Sequence, residues 1–148
     1  MTVAHDTFTV KRRYPVPRDR VFVAWADPTV KIRWFTGSSD SDYRGEFVVG
    51  GTETTAGDAP DGTRINYEGV YRDIVPGERI VVTYEMARGG RRMSVSVLTA
   101  EFTDDGDGTQ VRLTDQGTYL DDLDSAANRS SGAGTQLDQL GDLLVEPA

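Results

Sequence analysis

The stretch PRDRVFVAWADPTVKIRWFTG, residues 17–37, predicts two short helices placed back to back. The first helix has one apolar face, which carries Val21, Phe22 and Trp25. Asp19 is expected to be its N-cap. Asp27-Pro28 ends this helix and begins the second one, because aspartate caps a helix well and proline suits the first helical turn. The second helix is expected to end near Trp34-Phe35.

Strand patterns surround these helices on both sides. A first strand is predicted at residues 8–14, before the breakers Pro15 and Pro17. Residues 38–62 are dense in Gly, Ser, Thr and Asp and contain a single strand-like island at residues 43–49. Further strands are predicted at residues 64–74, 79–86, 93–102 and 110–114. The turns between them are typical hairpin sequences at Pro76-Gly77, Gly89-Gly90 and the acidic run of residues 104–108.

Alternation along these strands separates an apolar face from a polar one. The pattern is typical of an antiparallel sheet with one solvated face. The clearest apolar sets are Ile80, Val82, Tyr84 and Met86 in one strand, and Val111 and Leu113 in another. In residues 93–102 the inner face stays open between two sets, which are Leu98, Ala100 and Phe102, or Val95 and Val97.

The last segment changes to a helical period. Leu137, Leu140 and Leu144 recur at helical spacing, with Ala133 one turn earlier, and Pro147 is expected to stop the helix. The sequence therefore predicts an α+β fold in which a curved antiparallel sheet wraps around a long C-terminal helix, with two short helices after the first strand. We expect one domain over residues 1–148, with residues 1–6 as a frayed tail.

The order of these elements resembles the START/SRPBCC superfamily, whose helix-grip fold is also called birch-pollen-allergen-like. Residues 17–28, followed by Arg33-Trp34-Phe35, look like the opening motif of its activator of heat-shock-protein-90 ATPase homologue-like branch. The similarity continues through FVVGG at residues 47–51, GVYRDIVPGERI at 69–80, GTQVRL at 108–113 and LDQL at 137–140. The resemblance covers nearly the whole chain and implies one of several roles, which are ligand carriage, polyketide cyclase or aromatase chemistry, and chaperone activation.

Two departures from the family pattern bear on these roles. Gly134-Thr135 stands where a tryptophan often begins the last helix. The chain is also expected to lack the additional N-terminal domain with which eukaryotic co-chaperones engage their partner, which argues against chaperone activation.

Composition excludes several kinds of chemistry. The chain has no cysteine and one histidine, His5, so disulfides, thiol catalysis, a histidine-dependent serine triad and the usual histidine-based metal centres are not available. We expect no metal and no cofactor. The net charge of −8 disfavours nucleic acid and anionic membrane partners. Without a signal peptide or an apolar run of spanning length, a cytoplasmic location is expected.

The geometry of a sheet wrapped on a helix predicts a cavity between them, unless large side chains fill that space as a core. The residues expected to form the inner wall are Trp34, Phe35, Tyr67, Tyr71, Tyr84, Met86, Leu98, Leu113, Leu137 and Leu140. The favoured function is a non-enzymatic carrier or sensor of a hydrophobic or aromatic small molecule. A polyketide cyclase or aromatase and a chaperone ATPase co-activator are the alternatives, and the protein is expected to be a monomer or a homodimer.

Asp115 is the candidate catalytic residue. It is in phase with Val111 and Leu113 and is expected to face inward, where burial would raise its pKa and suit it to acid or base chemistry. The alternative is a strand-end aspartate bonded to backbone or water. Residues 104–108 could also suggest calcium, but they lack the ligand order of a calcium loop, so a hairpin turn is favoured.

Overall fold

The computed structural model describes residues 2–38 and 41–146. Its strands are β1 (Val3–Tyr14), β2 (Asp42–Gly45), β3 (Thr52–Asp58), β4 (Arg64–Val75), β5 (Arg79–Arg88), β6 (Arg91–Asp105) and β7 (Gly108–Leu120). Helices α1 (Arg18–Ala26) and α2 (Pro28–Phe35) follow β1, and α3 (Ala126–Leu144) ends the described chain. The strands form one antiparallel sheet of seven in the order β1-β7-β6-β5-β4-β3-β2.

The sheet curves around α3, which confirms the predicted α+β helix-grip fold. Leu137, Leu140 and Leu144 on α3 are buried against the inner face of the sheet. The Tyr14 hydroxyl at the end of β1 donates to the Leu137 carbonyl at 2.7 Å, which ties the sheet edge to the middle of the helix. Pro147, the expected helix stop, lies outside the described residues.

Helices α1 and α2 meet at Asp27 as predicted. Asp27 caps α2 by accepting a hydrogen bond from the Thr29 N–H at 2.9 Å. The prediction for α1 is wrong, because Pro17 and not Asp19 is its N-cap. The Pro17 carbonyl accepts from the N–H groups of Arg20 and Val21. Asp19 therefore lies in the first turn, where its carboxylate is well placed for the helix dipole.

The N-terminus differs from the expected frayed tail, because β1 already begins at Val3. This early part pairs with β7 from Val3↔Leu120 onward, and the Asp121 N–H donates to the Thr2 carbonyl at 2.8 Å. The side chains here are exposed and show no apolar alternation, so the order comes from backbone pairing that leaves no trace in the sequence pattern. His5 lies in this strand and is exposed.

The strand predicted at residues 43–49 ends at Gly45, and residues 46–51 form a tight turn instead. The Val48 N–H donates to the Glu46 carbonyl at 3.0 Å, and the Gly51 N–H donates to the Val48 carbonyl at 2.8 Å. The apolar run suggested a strand, but Val48 and Val49 are exposed. Strand β3 follows this turn and was not predicted.

Gly51 makes this turn possible, because a Cβ at this position would collide with the backbone carbonyl of Glu46. We expect Gly51→Ala to lower the free energy of unfolding by about 1–3 kcal/mol, as overpacking against rigid backbone does. The matched control is Gly132→Ala in α3, where an added Cβ meets no atom within 4 Å. That change should raise stability by up to about 1 kcal/mol. Urea denaturation of both variants measures the difference, and equal effects would contradict this reading of the turn.

The remaining strands are longer than predicted. In β6, Leu98, Ala100 and Phe102 share the inner face and Val95 is exposed, which resolves the open assignment. Strand β7 continues past Thr114 to Leu120 and adds Asp115 to the inner face. The acidic run forms the predicted hairpin turn between β6 and β7. In the described part of the chain, no helix is sufficiently long and apolar to cross a bilayer.

Candidate functional site

A pocket of about 430 Å³ lies between α3 and the inner face of the sheet. This volume is within the range of natural ligand pockets, roughly 300–1,000 Å³. Its apolar wall consists of Phe8, Phe35, Ile65, Met86, Leu98, Leu113 and Ala133. The exposed residues Asp58 and Gly132 are also among the lining residues, so the pocket communicates with solvent.

The pocket stays open because several of its lining residues are small. Ala56 and Gly57 on β3 and Gly132 and Ala133 on α3 all belong to its lining. A protein interior closes only where side chains are large enough to interdigitate. These residues leave the space between helix and sheet unfilled at this end, whereas the leucines further along α3 fill it at the other end.

Asp115 lies in the wall of this pocket and is only 2% exposed. Its Oδ2 accepts a short hydrogen bond from the Tyr84 hydroxyl. Its Oδ1 has no hydrogen-bond partner among the described residues, and neither do the hydroxyls of Ser96 and Tyr119. Burial raises the pKa of Asp115, and this outweighs the opposite effects of the Tyr84 hydrogen bond, of Arg129 and of the nearby Ser96 hydroxyl. The pocket wall therefore contains a desolvated carboxyl group, whose Oδ1 is buried beneath the pocket surface.

Arg129 on α3 bridges the helix to this part of the sheet. Its guanidinium donates to the Tyr84 hydroxyl at 2.8 Å and to the Ser94 hydroxyl at 2.9 Å. It also forms an ion pair with Asp124 at 2.6 Å. Burial favours the neutral form of Asp124, but hydrogen bonds from Asn128 and Arg129 outweigh burial and lower its pKa. Asp124 thus remains ionised and neutralises Arg129.

A second buried cluster joins α2 to β3 beside the pocket. Lys31 is 3% exposed and Glu53 is 1% exposed, and they form an ion pair. Glu53 also accepts hydrogen bonds from the hydroxyls of Tyr43 at 2.6 Å, Tyr67 at 2.9 Å and Tyr71 at 2.9 Å. Burial alone would raise the pKa of Glu53, but Lys31 and these hydrogen bonds lower it below its ordinary value.

Glycines in the strands let the tyrosine rings take these positions. A Cβ at Gly69 would lie 2.9 Å from the Tyr67 hydroxyl, and a Cβ at Gly117 would lie 2.9 Å from the Tyr119 hydroxyl. Each ring therefore lies across the glycine two residues away on the same face of its strand. This arrangement directs the Tyr67 hydroxyl onto Glu53.

The structure separates the predicted wall residues into three groups. Phe35, Tyr67, Tyr84, Met86, Leu98 and Leu113 line the main pocket, together with Asp115. Trp34 instead lines a small adjoining cavity of about 30 Å³, which also contacts Lys31 and Glu53. Tyr71, Leu137 and Leu140 line neither cavity and pack in the core, at 1% exposure or less. For Tyr71, Leu137 and Leu140, the sequence correctly predicted which face of the strand or helix points inward. It did not predict that these positions lie outside the pocket.

Sequence reasoning missed Phe8, Arg129, Ala133 and Gln136 as lining residues and Lys31 and Glu53 as the buried pair. Phe8 could have been found, because it alternates with Val10 in the predicted first strand. Glu53 lies in TETTAGD, whose composition does not indicate a strand, so its face could not be assigned. Arg129 lies in the first turn of α3, where the polar sequence gave no helical period.

A family model and several solved structures match nearly the whole chain. The family model "Activator of Hsp90 ATPase homolog 1-like protein" matches residues 15–145. A protein from Rhizobium leguminosarum is 35% identical and superposes with a TM-score of 0.91, over 97% of this chain and 96% of that one. The Mll3558 protein from Rhizobium loti is 39% identical with a TM-score of 0.90, over 96% and 99%.

A more distant structure shares the fold alone. CV1439 from Chromobacterium violaceum is 23% identical with a TM-score of 0.78, over 95% of this chain and 98% of that one. No curated protein matches this chain.

Proposed function

This chain belongs to the family of activator of Hsp90 ATPase homolog 1-like proteins, and we propose that it binds a hydrophobic or aromatic small molecule between α3 and the sheet. The observation that carries the proposal is the pocket of about 430 Å³ with its largely apolar wall. Burial of apolar surface supplies affinity, at about 25 cal/mol for each Å² removed from water. The few polar groups in the wall would orient the guest.

The experiment replaces one residue of α3 by a larger one that fills the pocket. Ala133 on α3 lines the pocket, so Ala133→Phe should occupy the space that a guest needs. We expect this variant to bind the neutral fluorescent probe N-phenyl-1-naphthylamine at least about tenfold more weakly than the parent protein. The readout is a fluorescence titration, and thermal unfolding verifies that the variant is folded.

The matched control is Ala127→Phe, which makes the same change on the same helix but at an exposed position outside this pocket. It should leave probe affinity unchanged. Equal affinity of both variants and the parent, or no probe binding by the parent protein, would contradict the proposal.

A catalytic role of the same pocket, as in a polyketide cyclase or aromatase, is the second candidate. It is favoured by Asp115, a buried carboxyl group with a raised pKa in the pocket wall. Such a group can exchange a proton with a bound substrate. Catalysis would require turnover that Asp115→Asn abolishes while probe binding persists.

The geometry of the pocket does not test the other expectations from the sequence, which stay predictions. These are chaperone co-activation, a cytoplasmic location, the absence of a cofactor, and a monomeric or homodimeric state. Chaperone co-activation depends on family membership alone and would appear as increased ATP turnover by a chaperone mixed with this protein.

A further inference from the structure

The cluster around Asp115 has more negative than positive charge. Its groups come from five parts of the fold, which are Tyr84 on β5, Ser94 and Ser96 on β6, Tyr119 on β7, Asp124 in the loop before α3, and Arg129 on α3. On β1, the residue paired with Asp115 is Phe8, which carries no charge. Arg129 is neutralised by Asp124. An ionised Asp115 therefore has no cation of its own within the cluster.

A buried charge without a partner is costly, so the carboxyl group needs either a proton or a cation. The Tyr84 hydroxyl donates to one oxygen of Asp115, and the nearby Ser96 hydroxyl is neutral, so neither group supplies a positive charge. In the free protein a proton can neutralise the group. In the complex, a positively charged group of the guest can take the place of that proton.

The surroundings of the Asp115 carboxyl group suit an organic cation. Aromatic rings of Phe8, Phe35, Tyr67 and Tyr84 line the same pocket, and ring faces attract ammonium groups. The net charge of −8 also raises the local concentration of cations near the protein. An anionic guest would be repelled by the faces of these rings and by the net negative charge of the protein.

On the premise of the function proposed above, we propose that the guest is an apolar amine whose ammonium group pairs with the carboxylate of Asp115. The hydrocarbon or aromatic part of the amine occupies the apolar wall. The ammonium group supplies the cation that the Asp115 cluster lacks.

A matched set of probes tests this inference by calorimetric titration near neutral pH. The set is 2-naphthylmethylamine, 2-naphthalenemethanol and 2-naphthoic acid, which share one ring system and differ in charge. The amine should bind at least about tenfold more tightly than the alcohol, and the acid should bind most weakly. Equal or tighter binding of the alcohol or the acid would overturn the amine inference while the proposed function stands. If none of the three binds although N-phenyl-1-naphthylamine does, the amine inference fails and the proposed function stands.

Two variants locate the effect. Asp115→Asn keeps the size of the side chain and removes its charge, so it should reduce amine affinity by about tenfold or more and leave alcohol affinity unchanged. The control is Asp107→Asn, which removes the same charge from the exposed β6–β7 turn. It should affect neither ligand. An equal loss for amine and alcohol in Asp115→Asn would contradict the inference.

The unmodified protein offers a test that does not depend on any variant. A proton and the ammonium group compete for Asp115, so amine affinity should fall as the pH is lowered toward the pKa of Asp115, which burial raises from 3.8. Alcohol affinity should not follow this trend. Amine affinity that stays constant or rises as the pH is lowered toward this pKa would overturn the proposal.

Discussion

Replacing Lys31 by methionine is expected to lower the free energy of unfolding by about 3–5 kcal/mol, because it leaves the carboxylate of Glu53 buried without a cation. The ammonium group of Lys31 also lies 4.7 Å from the centre of the Phe35 ring, so its removal disturbs the wall of the adjoining pocket. Urea denaturation measures the loss.

The control for this variant is Arg79→Met, which breaks an ion pair of 2.6 Å between two exposed side chains, Arg79 and Asp73. Exposed pairs contribute little, so stability should be nearly unchanged. Adding Glu53→Gln to Lys31→Met should recover part of the loss, since the amide carries no charge to bury. A Lys31→Met protein as stable as Arg79→Met would contradict this account of the pair.

The pH dependence of the same variant should reverse sign. In the parent protein the pKa of Glu53 is below its ordinary 4.5, so this group stabilises the fold above that pH and loses the effect as the pH falls through the lowered pKa. In Lys31→Met, burial without a cation raises the pKa of Glu53 instead. The variant should therefore lose stability as the pH rises above about 4.5.

Replacing Arg129 by methionine is the second change with a large expected effect. It leaves Asp124 without its cation, and it removes the hydrogen bonds to the hydroxyls of Tyr84 and Ser94. We expect a loss of about 3–5 kcal/mol near neutral pH. The loss should become smaller as the pH falls, because protonation of Asp124 removes the unpaired charge. Chemical denaturation at several pH values measures it.

Arg33→Met is the control, because its ion pair with Glu146 is exposed and its loss should change stability little. Combining Asp124→Asn with Arg129→Met should restore part of the stability. If the loss in Arg129→Met is independent of pH, the deficit comes from lost packing and not from unpaired charge.

The Lys31–Glu53 pair attaches α2 to the sheet beside the unfilled pocket, and the cluster around Asp115 attaches α3 there. Lys31 on α2 reaches Glu53 on β3, and Arg129 on α3 reaches Tyr84 on β5. These bonds cross from helix to sheet beside the pocket, where apolar packing is incomplete. The leucines of α3 provide the remaining attachment through the core. The pocket therefore remains open without large side chains spanning it.

The fold was predictable because the hydrophobic residues of β5 and α3 recur at regular spacing. Ile80, Val82 and Tyr84 alternate in β5, and Leu137 and Leu140 keep helical spacing in α3, so both the sheet and the helix were correctly identified. Strand β3 was not predictable, because its ordering comes from pairing with β4 and from its single fully buried residue, Glu53. A glutamate in a polar segment carries no sign of burial.

The site was predictable only where strand phase determines which way a side chain points. Asp115 was identified because it continues the alternation of Val111 and Leu113. Its partners could not be identified in the same way, since Arg129 contacts the cluster from a different element, whose first turn has no apolar period. Contacts between elements distant in sequence depend on the packed fold and not on any local pattern.

A crystal structure of the protein grown with 2-naphthylmethylamine tests the central claim, that the space between α3 and the sheet holds a guest. The account predicts the ring system against Leu98 and Leu113, with its nitrogen within hydrogen-bond distance of the Asp115 carboxylate. A pocket closed by its own side chains, or a ligand bound elsewhere with this space empty, would contradict it.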